Sequence, residues 1–275
     1  MSYRLVVLDV DGTLLNSQGV LTPRVREVVE RVRAAGVVVA LATGRRLRST
    51  LPVVRELGLP LPAILNNGAL VMDLEREETI YHRPLPRAVA REVVGILYGM
   101  GVPVFLYRHT LEGKDVFYEL DPVCPEARAF LSWNEPYAER VPGLAAALEF
   151  DPVKVVVFDE ERRIRELADH FARLPLPPHR MMVTGDRAGW LLEFYHADCS
   201  KALGVKLLAS RLGITREEIM ALGDNTNDLE MLRYAGLGVA MGNAVEELKA
   251  SARLVARSND EEGVAEVLER YVLSA

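Results

Sequence analysis

The sequence predicts an α/β protein with a mostly parallel, doubly wound sheet, into which an α+β unit is inserted. Three observations lead there. Apolar runs without alternation occur at residues 4–9 (RLVVLD), 37–43 (VVVALAT) and 218–224 (EIMALGD), as expected of strands buried on both faces. Helical patterns separate the runs at each end of the chain, which gives βαβ units and a parallel sheet. Between about residues 83 and 195 this rhythm is replaced by paired strand signals with helices among them, and from Ser200 it returns.

The first strand is 4–9. TPRVREVVERVRAAG then reads as a helix: Thr22 can cap it, Pro23 suits its first turn, Val25, Val28, Val29 and Val32 share one face, and Gly36 closes it. The strand 37–43, a helix over 45–57 and the short run AILN (63–66) continue the alternation. ALVMDLEREETIYHR reads as two strands around a charged turn. A helix over 87–100, the strands VPVFLYR and DVFYEL, helices near 125–131 and 143–148, the strand 153–159 and a helix over 160–173 follow. After the proline-rich connector LPLPPH come the strands RMMVTG and GWLLEFYH. SKALGVKLLASRLG is a helix with Ser200 as its cap and Gly213 after its end. The strand 218–224, the helix NDLEMLRYAG, the strand LGVAMGN, the helix VEELKASA, the strand ARLVA and a last helix over EEGVAEVLERYV complete a Rossmann-like core. The expected division is 1–82 with 197–275 for the core and 83–196 for the insert.

At 275 residues the chain is near the upper limit for one hydrophobic core, so one large or two moderate domains are expected. Its 49% apolar and 26% charged residues describe an ordinary globular protein. A net charge of −6 argues against a general nucleic-acid binder, while leaving room for small anions at a local positive site. Cys124 and Cys199 make neither a disulfide framework nor a metal motif, which fits a reducing compartment. The apolar start is short and soon interrupted by acids, unlike a signal peptide, and no window approaches a membrane span. These features predict a cytoplasmic protein with no membrane and no nucleic-acid partner, as a monomer or small homo-oligomer.

Open parallel sheets bind ligands at the carboxyl ends of their strands. The polar residues gather there: Asp9 and Asp11 after the first strand, Thr43, Gly44 and Arg45 after the second, and Asp224, Asn227 and Asp228 after a later one. The bend after AILN adds Asn66 and Asn67. Two carboxylates about 4 Å apart repel by on the order of 4 kcal/mol at an effective dielectric near 20, so they need a cation, a shared proton or solvent. Asp9 and Asp224 can hold a hard cation such as Mg²⁺, which takes oxygen ligands. Asp9 can then attack phosphorus, and Asp11 can exchange protons with the leaving oxygen and with water. Gly12 permits the tight turn that aims both acids. Lys201 lies in a helix first turn, where a cation opposes the macrodipole. It is either a solvated surface lysine or, with Thr43 and the Gly44 N–H, a ligand for phosphate oxygens.

At these residues the chain resembles the haloacid dehalogenase superfamily of aspartate-nucleophile phosphatases. DVDGT (9–13), Thr43 in ATGR, Lys201 and GDNTND (223–228) match its four motifs in order, and the insert that follows NNGA (66–69) looks like the larger α+β cap of its Cof-type, subfamily IIB members. The resemblance implies Asp9 as nucleophile and Asp11 as general acid and base. It implies Mg²⁺ held by Asp9, the Asp11 main-chain carbonyl and Asp224, with Asn227 and Asp228 in support, and phosphate held by Thr43 and Lys201. The implied function is Mg²⁺-dependent hydrolysis of small phosphorylated metabolites, sugar phosphates or cofactor phosphates, through an aspartyl-phosphate. The cap would close on hinges near 82–86 and 194–199. One departure is Ala202, where the family often has glycine.

Several residues keep two readings. Asp228 and Asn227 belong to the site or merely begin a helix. Arg45 reaches substrate or pairs with an acid. Asn67 touches substrate or only makes the turn. His82, Trp190, Glu193, Tyr195 and His196 lie near strand ends of the insert and favour structural roles. Two other functions compete: a phosphomutase or phosphotransferase of the same superfamily, and a non-enzymatic phospho-acceptor domain. The latter would be about half this length, without an insert.

Overall fold

The computed structural model describes residues 3–58, 61–186 and 189–274. They form two compact units, one of residues 1–82 and 200–275, the other of 83–199. In chain order the first unit opens with β1 (Leu5–Leu8), α1 (Pro23–Ala34), β2 (Val38–Ala42), α2 (Leu47–Leu57), β3 (Pro62–Leu65), β4 (Leu70–Asp73) and β5 (Glu78–His82). The second unit holds α3 (Arg87–Gly99), β6 (Phe105–Tyr107), β7 (Val116–Tyr118), α4 (Pro125–Asn134), β8 (Ala138–Arg140), α5 (Leu144–Ala147), β9 (Lys154–Asp159), α6 (Glu161–Phe171), β10 (His179–Asp186) and β11 (Gly189–His196). The first unit resumes with α7 (Lys201–Leu212), β12 (Ile219–Gly223), α8 (Leu229–Tyr234), β13 (Leu237–Ala240), α9 (Glu246–Ser251), β14 (Leu254–Val255) and α10 (Gly263–Leu268).

The first unit is built on a sheet in the order β14-β13-β12-β1-β2-β3-β4-β5. β14 through β3 pair in parallel, and the β4–β5 hairpin adds an antiparallel edge. Strand residues alternate between two layers. Val6 and Leu8 pack with the α1 valines and with α2 and α10, whereas Leu5 and Val7 pack with Val205 and Leu208 of α7, Met231 of α8 and Leu248 of α9. Both faces of β1 are therefore covered, which is why its sequence is uniformly apolar. α1 is capped by the Thr22 hydroxyl, which accepts from the Val25 N–H at 3.3 Å. Its four valines are buried, each contributing about 1.5–3 kcal/mol. An acid at Val29 would break this layer. The chain winds from β1 to β2 and β3 on one side and places β12, β13 and β14 on the other, so the topological switch lies at the carboxyl ends of β1, β2 and β12.

In the second unit, a sheet in the order β10-β11-β9-β6-β7-β8 has antiparallel pairs throughout except β7–β8. One face, with Leu106, Phe117, Val155, Val157, Leu192 and Phe194, packs on α3, α5 and α6. The strand β8 carries no apolar alternation and is not legible in the sequence, and α4 runs to Asn134, past the expected end. Among the described residues no helix is long and apolar enough to cross a membrane.

Candidate active site

The sheet ladder carries the candidate residues to the switch point. The Asp9 N–H donates to the Leu222 carbonyl (3.0 Å), and the Thr43 N–H to that of Ile64 (2.8 Å). Beyond Asp9 the chain turns tightly, with the Leu14 N–H on the Asp9 carbonyl (3.1 Å) and the Leu15 N–H on that of Val10 (2.9 Å). Gly12 takes φ +79° in this turn, and a Cβ there would collide with the Asp224 carboxylate. Only glycine meets both demands. Two residues outside the expected set hold the turn from behind. Asn243 Nδ2 donates to the Gly12 carbonyl (2.8 Å). Asn259 donates its N–H to Asn243 Oδ1 (3.0 Å) and its Nδ2 to the Leu15 carbonyl (2.9 Å).

The turn sends its two acids apart, which answers the repulsion that their spacing raises. Asp9 is buried and Asp11 is about half exposed. Each has its own cation. Lys201 Nζ donates to Asp9 Oδ1 at 2.6 Å, and Arg45 binds Asp11 through two bonds, Nε to Oδ2 at 2.7 Å and Nη2 to Oδ1 at 2.5 Å. Of the two readings of Arg45, this geometry realises the pairing with an acid.

Lys201 is buried, so the solvated reading falls. It lies in the first turn of α7, whose cap is Ser200 (Oγ accepts from the Leu203 N–H, 3.1 Å). Gly68, at φ +94°, lets the 66–68 turn meet the backbone of Ser200, where a Cβ would strike the Ser200 carbonyl. The ammonium also donates to Asp228 Oδ1 at 2.6 Å. The other Asp228 oxygen accepts the N–H groups of Asp224 (3.0 Å) and Asn225 (3.1 Å), so this fully buried acid shapes the loop after β12. Thr13, a further residue that sequence reasoning passed over, donates its hydroxyl to Asp224 Oδ1 (3.0 Å). Asn227 Nδ2 reaches Asn67 Oδ1 (2.9 Å), and the Asn67 N–H reaches the Thr43 carbonyl (2.9 Å), which ties three strand ends together. Thr43 is buried, and its hydroxyl accepts the Arg45 N–H (3.0 Å).

Three carboxylates thus face one ammonium. An oxygen of each of Asp9, Asp224 and Asp228 lies within 4.8 Å of the others. Burial raises Asp9 well above the usual carboxylate range, and Asp228, Asp224 and Asp11 add to the rise against the pull of Lys201. Asp224 rises to about 7, again first through burial and then through Asp228. Burial alone would lower Lys201, but Asp228 and Asp9 outweigh it and hold its charge. A dense set of carboxylate oxygens with excess negative charge has the chemistry of a hard divalent cation site. The cluster joins the two carboxylates of the implied ligand set, Asp9 and Asp224, to that of Asp228, while the Asp11 side chain turns to Arg45.

Trp190, Glu193, Tyr195 and His196 have partners within the second unit. Glu193 and Tyr195 bond to Lys154, Trp190 lies under the Arg165 guanidinium (4.9 Å), and His196 Nδ1 accepts the Asp198 N–H (3.2 Å). His82, expected in the insert, instead ends β5 of the first unit's sheet, opposite Leu70, because the β4–β5 hairpin completes that sheet's edge.

Comparison with known proteins now decides the family. The profile of the haloacid dehalogenase-like hydrolases matches residues 6–268. The chain belongs to that family. It is 30% identical over 280 residues to YxeH of Bacillus subtilis, with 99% of each chain covered. It is 29% identical over 272 residues to the 5-amino-6-(5-phospho-D-ribitylamino)uracil phosphatase YitU of the same organism, with 97% of each covered. Among solved structures it resembles a haloacid dehalogenase-like hydrolase from Bacteroides thetaiotaomicron, with a TM-score of 0.82 and 28% identity over 98% of this chain and 99% of the other. The haloacid dehalogenase-like fold expected from the four motifs therefore holds over nearly the whole chain.

Proposed function

We propose that the chain is a Mg²⁺-dependent phosphatase of small phosphate monoesters that works through an aspartyl-phosphate on Asp9. The observation that carries this reading is the buried Asp9 carboxylate at the switch point, bonded to Lys201 and crowded by Asp224, with Asp11 at the rim two residues on. Asp9, the Asp11 main-chain carbonyl and Asp224 would hold Mg²⁺, with Asp228, Asn227 and Gly12 shaping the loops that bear them. The ion supplies charge neutralisation for the acids and for the phosphoryl oxygens.

An Asp9 oxygen forms a bond to phosphorus while the ester P–O bond breaks, and the departing oxygen takes a proton from the Asp11 carboxyl group. Water then forms a P–O bond as its proton passes to Asp11, the Asp9–phosphorus bond breaks, and inorganic phosphate leaves. Lys201 uses two of its three N–H donors on Asp9 and Asp228, and the third can bind a phosphoryl oxygen. Thr43 and the Gly44 N–H take the others. The relative acting on a phosphoribitylamino-uracil supports alcohol phosphates of sugar or cofactor type as substrates. Residues 83–196 are proposed to select among them.

The test is phosphate release from p-nitrophenyl phosphate and a panel of sugar and cofactor phosphates, with Mg²⁺ and with chelator. Turnover that requires Mg²⁺ and drops by about 10⁴ or more in Asp9→Ala is expected for loss of a nucleophile. Equal turnover by folded Asp9→Ala overturns the reading. Transfer of the phosphoryl group to a sugar without release would replace it with a phosphotransferase.

A further inference from the structure

We propose that Arg45 is the positioning residue for Asp11: its guanidinium fixes the orientation of the acid–base carboxylate and acts through it, not on the substrate. This rests on the function proposed above. The two bonds to Asp11 run side by side from Nε and Nη2 to the two carboxylate oxygens. A single charged contact sets a distance, whereas a paired one also sets the plane of the carboxylate.

Arg45 is itself anchored. Its Nη1 donates to the Ser49 carbonyl in the first turn of α2 (3.2 Å), its N–H to Thr43 Oγ1 (3.0 Å), and its carbonyl accepts the Asn66 N–H (2.9 Å). Exposed ion pairs ordinarily contribute little, because solvent screens them and two long side chains lose freedom. Here the arginine is tied to its surroundings on three sides. The aspartate has a short side chain on a turn that Asn243 holds from the other end. Both halves of the pair are set in place by separate elements, so what the contact adds is direction.

Direction is what Asp11 needs. It must meet the departing ester oxygen in one half-reaction and a water in the other, and a displacement of about 1 Å can cost on the order of 100-fold in rate. Lysine at 45 keeps the charge but cannot form the fork. The need is greatest for leaving groups that cannot depart unprotonated, such as alkoxides, and least for p-nitrophenolate.

The experiment is steady-state kinetics with Mg²⁺ on p-nitrophenyl phosphate and on the fastest alkyl phosphate of the panel. Arg45→Ala is expected to lower kcat on the alkyl ester by about 10- to 100-fold with KM within about twofold, and to lower kcat less on the nitrophenyl ester. Arg45→Lys should not restore the rate, and added guanidinium ion should restore part of it to Arg45→Ala. In an Asp11→Ala background, Arg45→Ala should cost nothing more. A raised KM at unchanged kcat, an equal further loss in the Asp11→Ala background, or kinetics unchanged on both esters each overturns the proposal while the phosphatase reading stands. A wild type inert on the whole panel overturns both. If Arg45→Ala does not fold, as read by its thermal midpoint, Arg45→Gln takes its place in every comparison.

Discussion

The two units each bury a lysine against a carboxylate at 2.6 Å, and what stands around the two lysines differs. In the inserted unit, Lys154 Nζ meets Glu193 Oε1, with the Tyr195 hydroxyl bonded to both (3.2 and 2.9 Å) and the Tyr107 ring 4.8 Å from the ammonium. There the lysine and the acid share a tyrosine hydroxyl, and the lysine lies beside an aromatic ring. In the first unit, Lys201 Nζ meets Asp9 and Asp228 at the same distance, and Asp224 stands beside them. One cation answers three acids. Three acids gathered on one lysine call for a further positive charge, of the kind a hard divalent cation supplies. An excess of acids, not the presence of buried charge, marks the candidate reaction centre.

The largest test of that contrast removes Glu193. Both side chains are about 5% exposed, and deleting one partner of a buried pair leaves the other uncompensated. Glu193→Ala should cost about 3–5 kcal/mol of stability, and the loss should be the same with Mg²⁺ and with chelator. Urea unfolding in both buffers measures it. A loss that Mg²⁺ repairs would make the Lys154 cluster part of an ion site and remove the distinction.

A second test uses pH. Asp224 and Asp9 titrate above their unfolded values, so in the metal-free protein the folded state keeps a proton that the unfolded chain has already lost. Stability is then full below the unfolded carboxylate value and falls as pH rises towards about 7. The acids titrate as coupled groups. At about 1.4 kcal/mol per pKa unit, a rise from 3.8 to about 7 makes the fall about 4 kcal/mol. Mg²⁺ should abolish most of it, since ligand carboxylates bind the ion deprotonated. Urea midpoints from pH 4 to 8 that are flat in chelator would count against the unbalanced cluster.

The contrast was only half legible in the sequence. Uniformly apolar strands ended in Asp9, Thr43 and Asp224, and strand direction alone brings such ends to one edge of a parallel sheet. The doubly wound core followed from the same runs. What escaped depended on pairing across the chain. Lys154 meets Tyr195 because β9 and β11 pair antiparallel with Phe194 against Val155, one step away, and no local pattern states that register. Arg45 and Asp11 are 34 residues apart and meet only when β1 and β2 lie side by side. Thr13, Asn243 and Asn259 are small polar residues in turns, where composition says loop and only the folded backbone says which carbonyl or carboxylate they hold.

The smallest effect is the sharpest, because its sign changes with the buffer. Asp224→Asn removes one of the three acids while keeping the shape of the side chain, and the amide can still accept the Thr13 hydroxyl. With chelator at pH 8 the repulsion among Asp9, Asp224 and Asp228 is reduced, so the variant should be more stable than wild type by about 1 kcal/mol, the size expected for partly screened like charges. With Mg²⁺ it loses an ionic ligand and should fall below wild type, since an ion that binds only the folded state stabilises in proportion to its affinity. The corresponding Glu193→Gln change weakens the bond from Lys154 Nζ and should destabilise in both buffers. A gain at Asp224 in chelator that reverses with Mg²⁺, beside a loss at Glu193 in both, is the outcome that an excess of acids at Asp224 requires. A loss at both positions in both buffers would mean that Asp224, like Glu193, is held for packing and hydrogen bonding alone.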